Sequence, residues 1–518
     1  MYPSQQKAAA NYRILILLFV ALKLLLNSLA GGRYGFHRDE MLHLTLGDHL
    51  AWGYKEVPPF IALLAKLALM LFGSTSVIGA RVFTAIASAL IVLFTGLLPV
   101  EFGGRKFAIT IACLSVVVSP AMAASGYLFQ PVVFDQLWWL IAAWLTVKYA
   151  NTEERKYMYW LGMVIGCGML TKYTMAFFTG ALLVGILFTP SRKWLLRKEV
   201  GIAVILALFI FLPNVLWQYV HHWPVVTHMH KLKSQQLDYV KPTDFILQQL
   251  LLHGILVIVW FTGLLFLLFH KSMRLYRFVG IAYLLVFIFL LKMNGKPYYL
   301  LAAYPMLFAA GGYGIALILQ DYKARTMAAV ALLAPNLIML PIVLPILNIT
   351  QVRRFFEYTH QHMPVLDFAV TWEDHKRHPI TQDYADMFGW EEMVQKVAST
   401  YHNLPLEAQK HTVIFADNYG EAGALHLYRH RYKLPDVVCL NSSFAIWAPE
   451  SLRTDYIIYV SDDNDVSDLQ PVVEGYKRVG GIDNQLAREY GTGIFLVMRP
   501  KAALGKIYQQ HLEQTRNE

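Results

Sequence analysis

The sequence predicts a polytopic α-helical membrane protein of about eleven spans, followed by a C-terminal soluble α/β domain. Three observations carry this. Of 518 residues, 56% are hydrophobic and 15% charged, where a soluble domain carries about 25% charged residues. Apolar runs long enough to cross a bilayer recur from Ile14 to Ile349. Beyond Ile349 these runs stop while charge, Asn and Asp rise. We therefore divide the chain into a membrane region, 1–350, and an extracytoplasmic soluble region, 351–518. In so apolar a chain the net charge of +10 reads as Lys and Arg held in cytoplasmic loops, not as affinity for nucleic acid. Cys113, Cys167 and Cys439 can build neither a disulfide framework nor a zinc cluster.

Taken in order, the basic Lys7 and Arg13 precede 14–30, a run that exceeds a signal-peptide core and reads as a retained first helix with a cytoplasmic N-terminus. Residues 34–60 then lie outside. Residues 61–72 are too short to span and are assigned to the membrane surface; 77–100 return. Residues 107–124 lead out and 132–147 back. A short hairpin, 158–170 and 174–189, places Thr171, Lys172 and Tyr173 at its outer tip. Residues 200–219 lead out to a loop rich in His and Lys, and 245–269 return as one span. Residues 278–291 lead to the outer loop 292–299, 300–319 return, and 327–349 exit. The odd number of spans places the soluble region outside. Basic clusters at Arg105-Lys106, Arg155-Lys156, Arg192-Lys193, Arg197-Lys198, Lys271 with Arg274, and Lys323 with Arg325 all fall on the opposite side. In the soluble region 412–415, 456–460 and 494–497 read as strands, and 390–401 and 421–428 as helices. Asp417-Asn418-Tyr419-Gly420 makes a strand-to-helix turn, with Gly420 available for a positive φ.

The stretch 34–60 is the chemical centre. It gathers His37, Arg38, Asp39, Glu40, His43, Lys55, Glu56, Pro58 and Pro59 between two apolar segments, a set no lipid-facing helix carries cheaply. If the chain is helical from Met41, Asp39 and His43 at four apart and Glu40 and His43 at three apart share one face. An enzyme acting on a lipid-linked substrate and a transporter or flippase of such a lipid both suit this architecture. Transporters hold their ionisable residues near the bilayer midplane, whereas here they gather at outer edges, which favours the enzyme. A scaffold using the membrane part only as an anchor has no need of such loops.

Tyr34-Gly35-Phe36-His37-Arg38-Asp39-Glu40, Trp52-Gly53-Tyr54 with Pro58-Pro59, Leu170-Thr171-Lys172-Tyr173, Leu212-Pro213-Asn214, Gly295-Lys296-Pro297-Tyr298-Tyr299 with Tyr304-Pro305, and Asp417 to Gly423 occur in this order. Together they resemble a bacterial glycosyltransferase family of the GT-C fold, related to protein O-mannosyltransferases and to the lipid A aminoarabinose transferase. The resemblance implies a polyprenyl-phosphate-linked sugar donor, an acceptor approached from outside the cytoplasm, and usually inversion at the anomeric carbon. It makes Asp39 the base, with Glu40 orienting an acceptor or sugar hydroxyl.

Sugar transfer to a hydroxyl needs a base, because a neutral alcohol is a poor nucleophile. Charge grows on the leaving phosphate, where cations and hydroxyls stabilise it. Arg38, Lys172, Lys296 and Tyr298 or Tyr299 are the candidates. The chemistry requires no cofactor and no metal, though a divalent ion is compatible with it. Relatives place a Lys before the Pro pair where this chain has Val57, which passes the phosphate role to Lys55 or Lys172. They also place an acid in the second outer loop; here that is Asp135, set deeper, or its role falls to Gln130. His37, His43, Pro58 and Tyr173 complete the expected substrate-facing set. Against these stand plainer readings: acids at a helix N-terminus, a snorkelling Lys172, an aromatic belt, structural histidines and a loop-shaping Pro pair.

Overall fold

A computed structural model describes the backbone of residues 3–517 apart from 236 and 453, and the side chains of 12–516 apart from the same two. The chain opens with α1 (Pro3–Gly31), the short α2 (Arg38–Leu46), α3 (Phe60–Phe72), α4 (Val77–Glu101), α5 (Lys106–Val118) and α6 (Pro120–Ala124). There follow α7 (Pro131–Thr152), α8 (Arg155–Met169), α9 (Thr174–Leu187) and α10 (Lys198–Val220). Next come α11 (Pro224–Gln235), α12 (Pro242–Leu251), α13 (Val257–Phe269), α14 (Arg277–Lys292), α15 (Tyr304–Ile318), α16 (Tyr322–Val343) and α17 (Ile349–His362). The protein is a multi-pass membrane protein whose outward helix faces are apolar, as at Leu18, Leu25, Phe209 and Met327.

Small residues set how closely the helices cross. A Cβ at Gly263 of α13 would lie 2.1 Å from the carbonyl oxygen of Leu307, and one at Gly311 of α15 would lie 2.0 Å from that of Val259. Only glycine permits this approach.

Among the described residues six helices are long and apolar enough to cross a membrane, or eight when two bent pairs each count as one span. The expected count of about eleven exceeds this. The differences are α5, only 13 residues long, α7, made polar by Asp135, Gln136 and Lys148, and α8 at 15 residues. The expected single span over 245–269 is also corrected: α12 and α13 meet at 100°. Gly254 sits there at φ 57°, and Asn336 Nδ2 donates to the freed His253 carbonyl at 3.0 Å. Helix α11 lies within the stretch expected to be a loop, and α17 opens the stretch expected to begin the soluble region.

The C-terminal region holds β1 (Thr412–Ala416), β2 (Val437–Val438), β3 (Tyr456–Ser461), β4 (Val473–Gly481) and β5 (Gly493–Pro500) in one sheet of order β2-β1-β3-β5-β4. Strand β1 pairs parallel with β2 and β3, whereas β5 pairs antiparallel with β3 and β4. The parallel β1–β2 pair needs a crossover, supplied by the helix Tyr419–Tyr432. Asn418 caps that helix, its Oδ1 accepting from the amides of Gly420 at 2.8 Å and Glu421 at 3.0 Å. Gly420 is therefore in the first helical turn and not at positive φ. Its small size matters instead, because a Cβ there would lie 2.7 Å from the Arg38 side chain. A Cβ at Gly423 would lie 2.8 Å from that of Met41, so this helix rests directly on α2.

Candidate active site

The site is built from the N-terminus of α2. His37 caps it, with its Nδ1 accepting from the Asp39 amide at 3.1 Å while Glu40 Oε2 accepts from the His37 amide at 2.9 Å. This reciprocal capping box starts the helix at Arg38, three residues before the expected Met41. Successive side chains on a helix diverge by about 100°, so Asp39 and Glu40 point to different places.

Glu40 turns inward and is 0% exposed. Arg81 of α4 grips it through Nε at 2.9 Å and Nη2 at 2.6 Å, and the Phe129 amide donates to it at 2.8 Å. With His37 that makes four N–H groups on one carboxylate. Burial opposes its charge, but the Arg81 guanidinium and these bonds hold the carboxyl below its ordinary range. Both oxygens are committed, so Glu40 cannot orient an acceptor or sugar hydroxyl as expected. It fixes α2 to α4 and to the turn before α7.

Asp39 points the other way and is partly exposed. Its Oδ1 accepts from the Tyr419 hydroxyl at 2.8 Å and its Oδ2 from Gln130 Nε2 at 3.2 Å. Burial raises its pKa, but electrostatic attraction from the neighbouring His37, His43 and Arg38 side chains and the Tyr419 bond outweigh this and leave it below the usual carboxylate range. Asp39 is therefore ionised at neutral pH and held by neutral groups, with lone pairs to spare for a substrate proton.

Cations stand nearby. Lys296 feels the Asp39 charge, although burial still lowers its pKa. Lys172 lies 4.7 Å over the ring of Tyr299 and 5.1 Å over that of Tyr298. These loops are joined through the backbone, where the Phe60 amide donates to the Leu170 carbonyl at 2.9 Å. The motifs expected at outer edges, from five parts of the sequence, thus meet at one end of the bundle.

Several expected contacts are redirected. Asp135 is 3% exposed on α7 and accepts from Thr174 Oγ1 at 2.8 Å, so Gln130 and not Asp135 meets Asp39. Arg38 is spent on Glu489, 3.2 Å away, and on the face of Tyr419 at 4.7 Å; it braces Tyr419 instead of binding phosphate. Lys55 is buried and its Nζ donates to the Thr515 carbonyl, so it docks the C-terminal helix and not a phosphate. Tyr173 donates to Asn214 Oδ1 at 3.0 Å, and Asn214 Nδ2 holds the Trp52 carbonyl at 2.7 Å. That network secures the loop before the Pro pair. Buried Pro58 shapes the same loop, and the buried His37 and His43 act on Asp39 from beneath without facing a substrate.

The sequence reading missed Tyr419 as a site residue, and missed Arg81 and Glu489 altogether. A charge inside a span asks for a partner, so Arg81 was the available signal.

Residues 56–217 match the family model described as dolichyl-phosphate-mannose-protein mannosyltransferase. The lipid A galacturonosyltransferase RgtD of Rhizobium johnstonii is 28% identical over 200 residues, covering 37% of this chain and 40% of that protein. The chain thus matches less than half the length of this relative. ArnT from Cupriavidus metallidurans bound to undecaprenyl phosphate superposes with a TM-score of 0.61 at 14% identity, covering 93% of this chain and 97% of that one. Apo ArnT from the same organism gives 0.59 at 15% identity, covering 94% and 98%. The chain has the GT-C glycosyltransferase fold, as the motifs implied.

Proposed function

We propose that this chain is a glycosyltransferase of the inner membrane that moves a sugar from a polyprenyl-phosphate carrier to an acceptor hydroxyl at the outer face, with inversion. The N-terminus is then cytoplasmic and the soluble region extracytoplasmic. The observation that carries this reading is Asp39, a part-exposed carboxylate held by Tyr419 and Gln130 and flanked by Lys296. The undecaprenyl phosphate bound to ArnT supports the carrier, and the family description and the RgtD relative support sugar transfer.

In this scheme the acceptor oxygen attacks the anomeric carbon from the face opposite the phosphate. The C–O bond to phosphate breaks, its electron pair leaving on the phosphate, and the acceptor proton passes to Asp39. A carboxylate with a depressed pKa is a weak base but is always ready. It aligns the hydroxyl early and takes the proton late, as the oxygen becomes acidic in the transition state. Lys172 and Lys296, with the Tyr298 and Tyr299 hydroxyls, face the phosphate as its charge grows. We assign no cofactor to the reaction.

The test uses purified full-length protein in detergent micelles with radiolabelled polyprenyl-phosphate hexoses and pentoses. Release of polyprenyl phosphate with transfer of label is expected, and Asp39→Asn should lower turnover by roughly 10²–10⁴-fold while retaining carrier binding. Carrier bound without any cleavage would favour a flippase, since a micelle offers no second compartment. Near-normal turnover by Asp39→Asn would remove the base assignment.

A further inference from the structure

Helix α17 follows α16 after only residues 344–348. Its Val352 and Phe356 are buried in a cluster with Leu340, Ile342 and Leu344, so it lies against the end of the last span. The Tyr34 hydroxyl donates to the Leu347 carbonyl in the connection at 2.9 Å, which places α17 at the same end of the bundle as Asp39. The opposite side of α17 is polar. There the segment after α17 folds back and closes a cavity of about 460 Å³ lined by Thr350, Arg353, Arg354, Glu357, Arg377 and His378.

Three guanidinium groups thus share a cavity with one carboxylate. Arg377 is braced from outside by Asp367 at 3.5 Å and reaches Glu357 only at 3.9 Å. Arg353 and Arg354 are exposed and, among the described residues, have no hydrogen bond or ion pair. A stability role would pair them; a recognition role leaves them open, and a planar guanidinium fits phosphate oxygens in particular. On the turn after α17, Val365 and Phe368 flank the Asp367 that pairs with Arg377 and are 76% and 64% exposed. Apolar side chains left bare beside a cationic cavity, at the end of a membrane span, match a ligand with an anionic head and a hydrocarbon body.

We propose that this cavity binds the phosphate headgroup of an anionic phospholipid from the membrane face that also presents Asp39. Arg353 and Arg354 hold the phosphate, and Val365 and Phe368 enter the acyl boundary.

The test is native mass spectrometry of the full-length protein with dioleoylphosphatidylglycerol, dioleoylphosphatidylcholine and inorganic phosphate as separate probes. The wild type should retain phosphatidylglycerol at least about tenfold better than phosphatidylcholine, and Arg353→Ala with Arg354→Ala should lose about that factor. Arg353→Lys with Arg354→Lys should keep most of it. Arg192→Ala with Lys193→Ala, at the far end of α9, should change nothing. If the alanine pair does not fold, Arg354→Glu alone should show the same loss. Equal retention by wild type and cavity variants overturns the proposal. So does equal loss in the Arg192/Lys193 control, which would mean diffuse charge attraction. Displacement of phosphatidylglycerol by millimolar inorganic phosphate also overturns it, since the site would then serve a soluble anion.

Discussion

The Tyr419 hydroxyl donates to Asp39 Oδ1 at 2.8 Å across 380 residues of sequence. The C-terminal region therefore reaches the candidate site and is not an appendage to the helices. Two glycines make this possible, because Gly420 and Gly423 let their helix settle against Arg38 and Met41, and Arg38 then stacks over the Tyr419 ring.

Tyr419→Phe keeps the ring and removes one hydrogen bond to the charged form of Asp39. That bond helps hold the Asp39 pKa down, so its loss raises the pKa. The acidic limb of the pH–rate profile, where Asp39 becomes protonated, should move to higher pH, with turnover at neutral pH falling about tenfold or less. Carrier-lipid affinity should not change. A profile that does not move would assign Tyr419 to docking alone.

Glu40 and Arg81 form a buried pair with both partners at 3% exposure or less. Breaking such a pair leaves one charge uncompensated and typically costs about 3–5 kcal/mol. Arg81→Met should thus sharply lower the thermal midpoint in detergent. Arg81→Met combined with Glu40→Gln should recover part of that loss, because no charge then remains stranded. Additive losses in the double variant would show that packing, not charge, holds α2.

The distribution of legible and hidden features follows from what a linear pattern contains. Each polar motif between apolar runs marked a loop, and the order of the runs grouped those loops, so the convergence of residues 34–60, Gln130, Lys172 and Lys296 was readable, whereas the arrival of Tyr419 among them was not. Nor was the division of labour between Asp39 and Glu40. Adjacent letters look alike, but about 100° of helical rotation sends one to Tyr419 and Gln130 and the other to Arg81. Lys55, Arg38 and Tyr173 looked available as polar loop residues. Their partners Thr515, Glu489 and Asn214 lie too far along the chain for any local pattern to reveal. The break at Gly254 was hidden for the same reason: a glycine in an apolar run reads as helix until Asn336 takes the freed carbonyl.

Lys172 offers a separate test of how the leaving phosphate is met. It lies over Tyr298 and Tyr299, and Asp135 and Lys296 both act on it electrostatically, so its ammonium is positioned by four groups and not merely extended toward water. Lys172→Ala should weaken binding of polyprenyl phosphate about tenfold, the scale of one charge-assisted hydrogen bond, measured by equilibrium binding in detergent. Lys172→Arg should restore part of it. If affinity is unchanged in the alanine variant, Lys172 snorkels and Lys296 alone meets the phosphate.

Acid should loosen the joint that carries Tyr419. His49 stacks on Trp447 at 4.0 Å, and Asp48 beside it accepts from His426 at 3.1 Å and Arg429 at 3.3 Å. Burial, with the charges of His426 and Arg429 adding to it, lowers the His49 pKa to about 4, against about 6.5 in an unfolded chain. Because the folded form binds the proton less readily, its contribution to stability is complete above about pH 6.5 and is lost as pH falls toward 4. Partial exposure of the ring reduces the size of the effect, so a fall of about 1 kcal/mol is expected for this group. His49→Phe keeps the stack but cannot take a proton. Its thermal midpoint should therefore fall less than that of the wild type between pH 6.5 and pH 4, and parallel curves would place the acid-sensitive group elsewhere in the joint.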